Sequence, residues 1–193
     1  MSTETLLALI VFATVGTGTP GPNNLMVMAS GANFGLRRTL PHILGIALGF
    51  AAMIMLVGLG LGRLFEAWPW LSPTLLAVSA VYLLYLAWKI ATAAPPEPGH
   101  PGGRPFSFLQ AAAFQWVNPK AWAMALTTTA VYLPGGEFVL ASAIFASAAI
   151  PLTALWTVAG EGIGRFLGTP FRLRLFNGVM AALLLISTLP AML

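Results

Sequence analysis

A chain of 193 residues with 58% hydrophobic and only 7% charged side chains is not built to face water, because a soluble domain carries about 25% charged residues. Its net charge of +4 comes from nine Lys and Arg against five acids, too few and too scattered for a basic stripe, so no nucleic-acid partner is expected. The absence of cysteine excludes disulfides, thiol catalysis and thiolate metal sites, and neither a metal nor a cofactor is read. What remains is an all-α integral membrane protein with the lipid bilayer as its solvent, at roughly 20 residues per span.

Six apolar stretches follow in chain order. The first covers about 5–33. Its start, Leu6 to Val15, has the look of a short signal core, but Glu4 precedes it without any basic residue and no small-residue cleavage site follows, so a retained span is expected. Thr19-Pro20-Gly21-Pro22-Asn23-Asn24 interrupts this stretch near its middle. The second and third stretches cover about 39–62 and 70–92. The proline-rich run at 94–105 cannot continue a helix, because proline lacks the N–H and fixes φ, and it reads as an extended linker. The fourth stretch, about 106–132, is again broken near its middle, by Val117-Asn118-Pro119-Lys120. A tight turn at 133–137 leads to the fifth, about 138–163, and the sixth covers about 175–193.

The chain is therefore read as a single transmembrane domain, 1–193, of six helices: repeat one 1–93, linker 94–105, repeat two 106–193. Three spans is an odd number, so the second half enters the membrane inverted relative to the first. Pro22 and Pro119 lie almost half a chain length apart, as expected when two broken helices from inverted repeats meet at the bilayer centre. Residue identity between the halves is weak, and the repeat rests on pattern. Seven of the nine basic residues (Arg37, Arg38, Lys89, Arg104, Arg165, Arg172, Arg174) fall on one side of this layout. The positive-inside rule makes that side cytoplasmic and both termini periplasmic. Trp68, Trp70 and Trp88 at the ends of span three fit interfacial anchors.

The breaks carry the chemistry. Pro20 and Pro22 remove the donors for the carbonyls of Gly16 and Gly18, and Pro119 removes the donor for that of Gln115. The residues before the prolines, Thr19, Gly21 and Asn118, are pushed out of helical geometry. Each new half-helix presents free N–H groups and a partial positive charge suited to a carboxylate. The freed carbonyls suit an ammonium, so one site offers partners to both ends of a zwitterion. The bland reading is a pair of structural kinks plugged by neighbouring helices.

Lys120 is the sharpest single residue. A charge at mid-membrane costs about 2.5–3.5 kcal/mol on insertion scales, and the chain has no Asp and no Glu deep in a span to pair with it. It could meet a substrate carboxylate, couple transport by exchanging a proton, or simply serve helix packing. Asn23, Asn24, Gln115 and Asn118 can line the same cavity. Glu161, between Gly160 and Gly162 and near Arg165, reads first as a salt-bridged interfacial residue and second as a coupling carboxylate. His42 reads as interfacial rather than as a proton relay. Gly45 and Gly49 permit close helix contact, within the chain or between copies in a homo-oligomer. An intramembrane enzyme would need a nucleophile and a base at one depth. Ser30 and His42 flank a turn instead, so no enzyme is expected.

With these residues in view the chain resembles the LysE/RhtB family of amino-acid exporters. The resemblance rests on residues 19–24, on Gly35-Leu36-Arg37-Arg38, on Tyr85-Leu86-Ala87-Trp88-Lys89 and on Gln115-Trp116-Val117-Asn118-Pro119-Lys120. Within that family it looks most like the cysteine/O-acetylserine and neutral amino-acid exporters. The resemblance implies efflux of small amino acids across a bacterial inner membrane, driven by the proton gradient. Many relatives carry Asp where this chain has Asn23, and Asn cannot carry a proton. The expected function is thus export of small zwitterionic amino acids by alternating access; the alternative is a passive channel or facilitator for small polar metabolites. The residues expected to bind substrate are Gly16, Gly18, Thr19, Pro20, Gly21, Pro22, Asn23, Asn24, Gln115, Asn118, Pro119 and Lys120, with Lys120 and Glu161 as coupling candidates.

Overall fold

The computed structural model describes residues 1–93, 103–133, 135–167 and 169–188. The linker read at 94–105 is outside the described residues except for 103–105, as are Pro134 of the expected turn and the last five residues of the sixth stretch. Among the described residues every regular element is helical. The order is α1 (Thr3–Gly18), α2 (Pro22–Gly58), a 3₁₀ turn (Leu61–Arg63), α3 (Leu64–Ala67), α4 (Leu71–Ala91) and α5 (Phe108–Phe114). A second 3₁₀ turn (Gln115–Val117) leads to α6 (Pro119–Thr127), a π turn (Thr128–Tyr132), α7 (Phe138–Leu167) and α8 (Pro170–Ile186). Among them α2, α4 and α7 are long and apolar enough to cross a membrane.

Four of the helices start where a side chain takes up an unpaired N–H group. Ser2 accepts from Thr5 N–H at the start of α1. Ser107 and Gln110 form a reciprocal capping box on α5. Asn118 and Thr169 cap α6 and α8, each followed by a proline at the first helical position, where its missing N–H costs nothing.

At 37 residues α2 would be about 55 Å long, nearly twice the hydrocarbon thickness of about 30 Å. It is in fact two arms. Gly35 sits at φ 77°, ψ 168°, a region that only glycine enters without steric cost. The spans read as ending near 33 and starting near 39 are thus joined at one residue. The corner is stitched by Glu161, which accepts from Leu36 N–H at 2.8 Å, and by Thr39, which donates to Gly35 O at 2.9 Å and pairs with Ser30 at 2.8 Å.

Glycines set the closest approaches. A Cβ on Gly160 would overlap the carbonyl of Met28, one on Gly164 that of Ala32, and one on Gly31 that of Thr157. The first arm of α2 therefore runs parallel to α7 with backbones nearly touching. Gly45 and Gly49 play the same part for the second arm, packed on Phe108, Ala111 and Ala112 of α5. Both glycine pairs are spent on contacts inside one chain, as small-xxx-small pairs are in membrane helix packing. α7 also meets the second arm antiparallel, where Ser142 donates to Ala51 O. On the other side of the first arm, α4 and α8 pair through Leu83, Leu86 and Ala87 against Met180, Ala181 and Leu184.

One end of the bundle gathers basic residues. Arg38 donates to Gly103 O, Lys89 lies over the Phe106 ring at 5.7 Å, and Arg165 pairs with Glu161 at 2.6 Å. Glu137, Glu66 and Arg63 lie at the opposite end. There the Met1 ammonium, hydrogen-bonded at 2.9 Å, draws the Glu137 carboxyl below its ordinary range.

The glycine contacts generate a paired test. Gly160→Ala should destabilise the fold by about 1–3 kcal/mol through overpacking against backbone. Gly162→Ala, where an added Cβ meets nothing within 4 Å, should be neutral or stabilising by up to about 1 kcal/mol. Reversible unfolding of both variants in mixed micelles checks the contrast.

Candidate functional site

At the first break α1 ends at Gly18 and the backbone runs extended through Thr19 and Gly21 before Pro22 starts α2. The carbonyls this exposes are met by side chains, as unpaired backbone acceptors away from water require. Trp156 of α7 donates to Gly18 O at 3.0 Å. Thr19 Oγ1 reaches Gly16 O at 3.3 Å. Asn24 Nδ2 donates to Thr17 O and Thr19 O at 2.7 and 2.8 Å. Lys120 crosses from the second break and donates to Thr19 O at 3.1 Å, Thr19 Oγ1 at 2.9 Å and Pro20 O at 3.3 Å. These three bonds use every donor of an ammonium group.

The second break is built to point Lys120 this way. Asn118 N–H closes the 3₁₀ turn on Gln115 O, and Asn118 Oδ1 accepts from Lys120 N–H at 3.1 Å. The two breaks are tied directly by a reciprocal amide pair. Asn23 Nδ2 donates to Gln115 Oε1 at 2.9 Å and Gln115 Nε2 donates back to Asn23 Oδ1 at 3.2 Å. Gln115 also donates to Ala111 O, so its orientation is fixed. Gly21 leaves room for this side chain: a Cβ there would lie 2.9–3.0 Å from Lys120 Cδ and Nζ and would push the amine from its acceptors.

Between the breaks lies a cavity of about 40 Å³, room for about three water molecules at 10–15 Å³ each. Its polar wall is Thr17, Asn23, Asn24, Gln115, Asn118, Lys120 and Thr153; its apolar wall includes Ile46, Phe50, Ala121, Met124 and Ala149. Asn24 is 3% exposed, and its Oδ1 is a buried acceptor with no partner. Since Nδ2 is committed to two carbonyls, the free atom is the oxygen. The wall therefore holds an unused acceptor beside a lysine that no acidic side chain of the described residues pairs. An ammonium fits the first and a carboxylate the second.

The structure brings Gly16, Gly21, Asn23, Asn24, Gln115, Asn118 and Lys120 to this wall, with Thr19 and Pro20 as acceptors for Lys120. Pro22 and Pro119 open the half-helices behind it. The carbonyl of Gly18 is already taken by Trp156. Glu161 is at the basic end, held by Leu36 N–H and Arg165, outside the cavity. His42, expected at the interface, is instead buried against Phe106 at 5.2 Å. Sequence reasoning misses the contribution of the fifth stretch, Thr153 and Trp156. Its signal was Pro151 followed by hydroxyls at Thr153 and Thr157 in an apolar run.

The cavity is sealed unequally. Toward the acidic end a thick layer of Leu9, Ala13, Phe50, Met53, Ile54, Val57, Ala125 and Phe145 closes it, with Phe50, Phe145 and Phe12 in edge-on contact. Toward the basic end the buried cluster is smaller, Val27, Ile43, Ile46 and Ala111, with Leu36, Phe106, Ala154 and Trp156 packed against it.

Two helices broken at matching positions, closed around a polar pocket inside an apolar bundle, define a membrane transport protein. The chain matches the model of the LysE type translocator family over residues 14–189 and belongs to that family, so it is a transporter and not an enzyme. Among curated proteins it is 30% identical over 132 residues to a cysteine/O-acetylserine efflux protein of Klebsiella pneumoniae, covering 68% of this chain and 67% of that one. It is 32% identical over 133 residues to the cysteine/O-acetylserine efflux protein of Escherichia coli K12, with the same coverage. No solved structure matches.

The amide pair makes a quantitative prediction. In a double-mutant cycle, Asn23→Ala and Gln115→Ala should couple by about 0.5–1.5 kcal/mol of unfolding free energy, because either single change strands a buried amide. Independent, additive effects in the unfolding curves would deny the link between the breaks.

Proposed function

We propose that this chain exports small zwitterionic amino acids, of the size of cysteine or O-acetylserine, across the bacterial inner membrane by alternating access. The observation that carries the reading is Lys120 lying across the broken end of α1 beside the unpartnered Asn24 Oδ1. A substrate carboxylate would take Lys120 from the carbonyls of Thr19 and Pro20, and its ammonium would pair with Asn24 Oδ1 and with the carbonyls Lys120 leaves. A space of about 40 Å³ is too small for an amino acid, so binding requires Lys120 to swing away. The exchange of partners lets substrate arrival change the contact between the two halves.

We read six spans as two inverted repeats: α1 with the first arm of α2, its second arm, and α4; then α5 with α6, α7, and α8. Two features support this. Each half has the same succession of helix, break, helix, long helix, and final helix. Each half's long helix also packs parallel to the other half's broken helix, through the glycine pairs 45/49 and 160/164. The basic end is assigned to the cytoplasm and both termini to the periplasm. The smaller apolar cluster on the basic side supports a conformer nearer to opening inward.

With Asn23 in place of an acid, Lys120 is the titratable group in the cavity, and coupling would run through it. A passive facilitator is the second reading, favoured by the lack of any carboxylic acid in the cavity wall. Counterflow in proteoliposomes separates the two, since only a carrier shows trans-stimulation.

Lys120→Met should lower efflux of labelled cysteine from proteoliposomes about 10–100-fold, the equivalent of a charge-assisted bond worth about 1.5–3 kcal/mol. The rate is compared per folded protein, since the variant also gives up the three bonds that tie the breaks together. Efflux at the unmutated rate would remove Lys120 from the mechanism.

A further inference from the structure

A second, larger cavity lies at the basic end, with about 460 Å³ of solvent-accessible space, bordered by Ser30, His42, Lys89, Arg104, Phe106 and Gln110. It is stacked on the central one along the same helices. Ile46 lines the central cavity and His42 lines this one, four residues or about 6 Å apart on α2. Gln115 and Gln110 are similarly placed on the α5 side. The material between them is Val27, Ile43 and Ala111, all buried and apolar.

Most buried polar groups of this cavity are already paired: Ser30 with Thr39, and Asn33 with Asn177 in a reciprocal amide bond. His42 is the exception. It is 2% exposed, and both ring nitrogens lack a hydrogen-bond partner. An imidazole brings one donor and one acceptor or two donors, and burial without use of them is unfavourable. At the mouth stand two cations, Lys89 and Arg104, without an acidic partner among the described residues. Lys89 Nζ is held over the rings of Tyr85 and Phe106 at 5.8 and 5.7 Å.

We propose that this cavity is a second amino-acid subsite, in which Lys89 and Arg104 take the carboxylate of a small amino acid, His42 takes its polar groups, and Val27, Ile43 and Ala111 form the gate to the central cavity. It rests on the export reading, in that the ligand is the exported substrate waiting on the cytoplasmic side. The space is more than ten times that of the central cavity and admits the whole molecule, which reaches the covered nitrogens of His42 once the ring turns toward it. Passage between the two cavities then requires Val27 and Ile43 to turn aside and α5, which carries Ala111, to shift on Gly45.

The chain has two histidines, His42 and His100, so imidazole ¹⁵N NMR of ¹⁵N-histidine-labelled protein in nanodiscs reports on His42 directly. Titration with L-cysteine, kept reduced, should shift the His42 signals saturably, both in the unmutated protein and in Lys120→Met. Lys89→Gln combined with Arg104→Gln, at exposed positions that leave the fold intact, should weaken that titration severalfold. His42 signals that do not move, or that drift with His100 without saturating, would overturn the proposal. An undiminished titration in the double variant would overturn the carboxylate assignment. The central reading fails separately: it falls if Lys120→Met transports normally, whatever His42 does.

Discussion

The arrangement depends on one interaction, the amine of Lys120 on the open end of α1. Proline at positions 20 and 22 denies Gly16 and Gly18 their helical donors, which Thr19 and Trp156 replace, and the extended turn between the helices leaves the carbonyls of Thr19 and Pro20 to find partners of their own. Lys120 supplies three bonds to Thr19 and Pro20, and the same carbonyls give a cationic group a place to stand without an anion. Each defect answers the other. A lysine without an anion and a helix end without donors are both unfavourable alone, and together they form the floor of a pocket.

The rest of the site follows from keeping those two defects in register. The Asn23–Gln115 pair fixes the breaks side by side, Asn118 turns Lys120 toward its acceptors, and Gly21 leaves space for the stem to pass. The glycine contacts of α7 on the first arm and of α5 on the second bring the long helices close enough for Trp156 and Thr153 to reach the pocket. Packing and chemistry are not separable here, because the side chains that satisfy the backbone are also those that line the cavity.

Much of this was legible in the sequence, for local reasons. Proline obeys a rule that needs no tertiary information, so both breaks and the residues around them could be read directly. A single lysine in an apolar run, in a chain without Asp, identifies itself. What depended on the partner across the gap could not be read. Nothing local says that Asn24 spends its amide nitrogen on Thr17 and Thr19 and leaves its oxygen free, or that Trp156 takes the carbonyl of Gly18. His42 follows Pro41 near two arginines, which reads as an interface, yet its ring turns inward onto Phe106. The corner between spans one and two was legible as a turn region but not as one residue. Gly31 and Gly35 look alike in the sequence, and only the packing of Gly31 on Thr157 and the contact of Glu161 with Leu36 tell them apart.

That corner has a mechanical consequence. A connection of one residue at Gly35 has no slack, because a peptide unit spans a fixed 3.8 Å. The tip at Asn23 and the long arm through Ile46 are therefore linked like the two limbs of a crank, with Glu161 of α7 clasping the elbow. The joint keeps its length while the free φ and ψ of glycine leave its angle to be set by neighbours, which gives α7 a grip on the pivot of the first half of the chain.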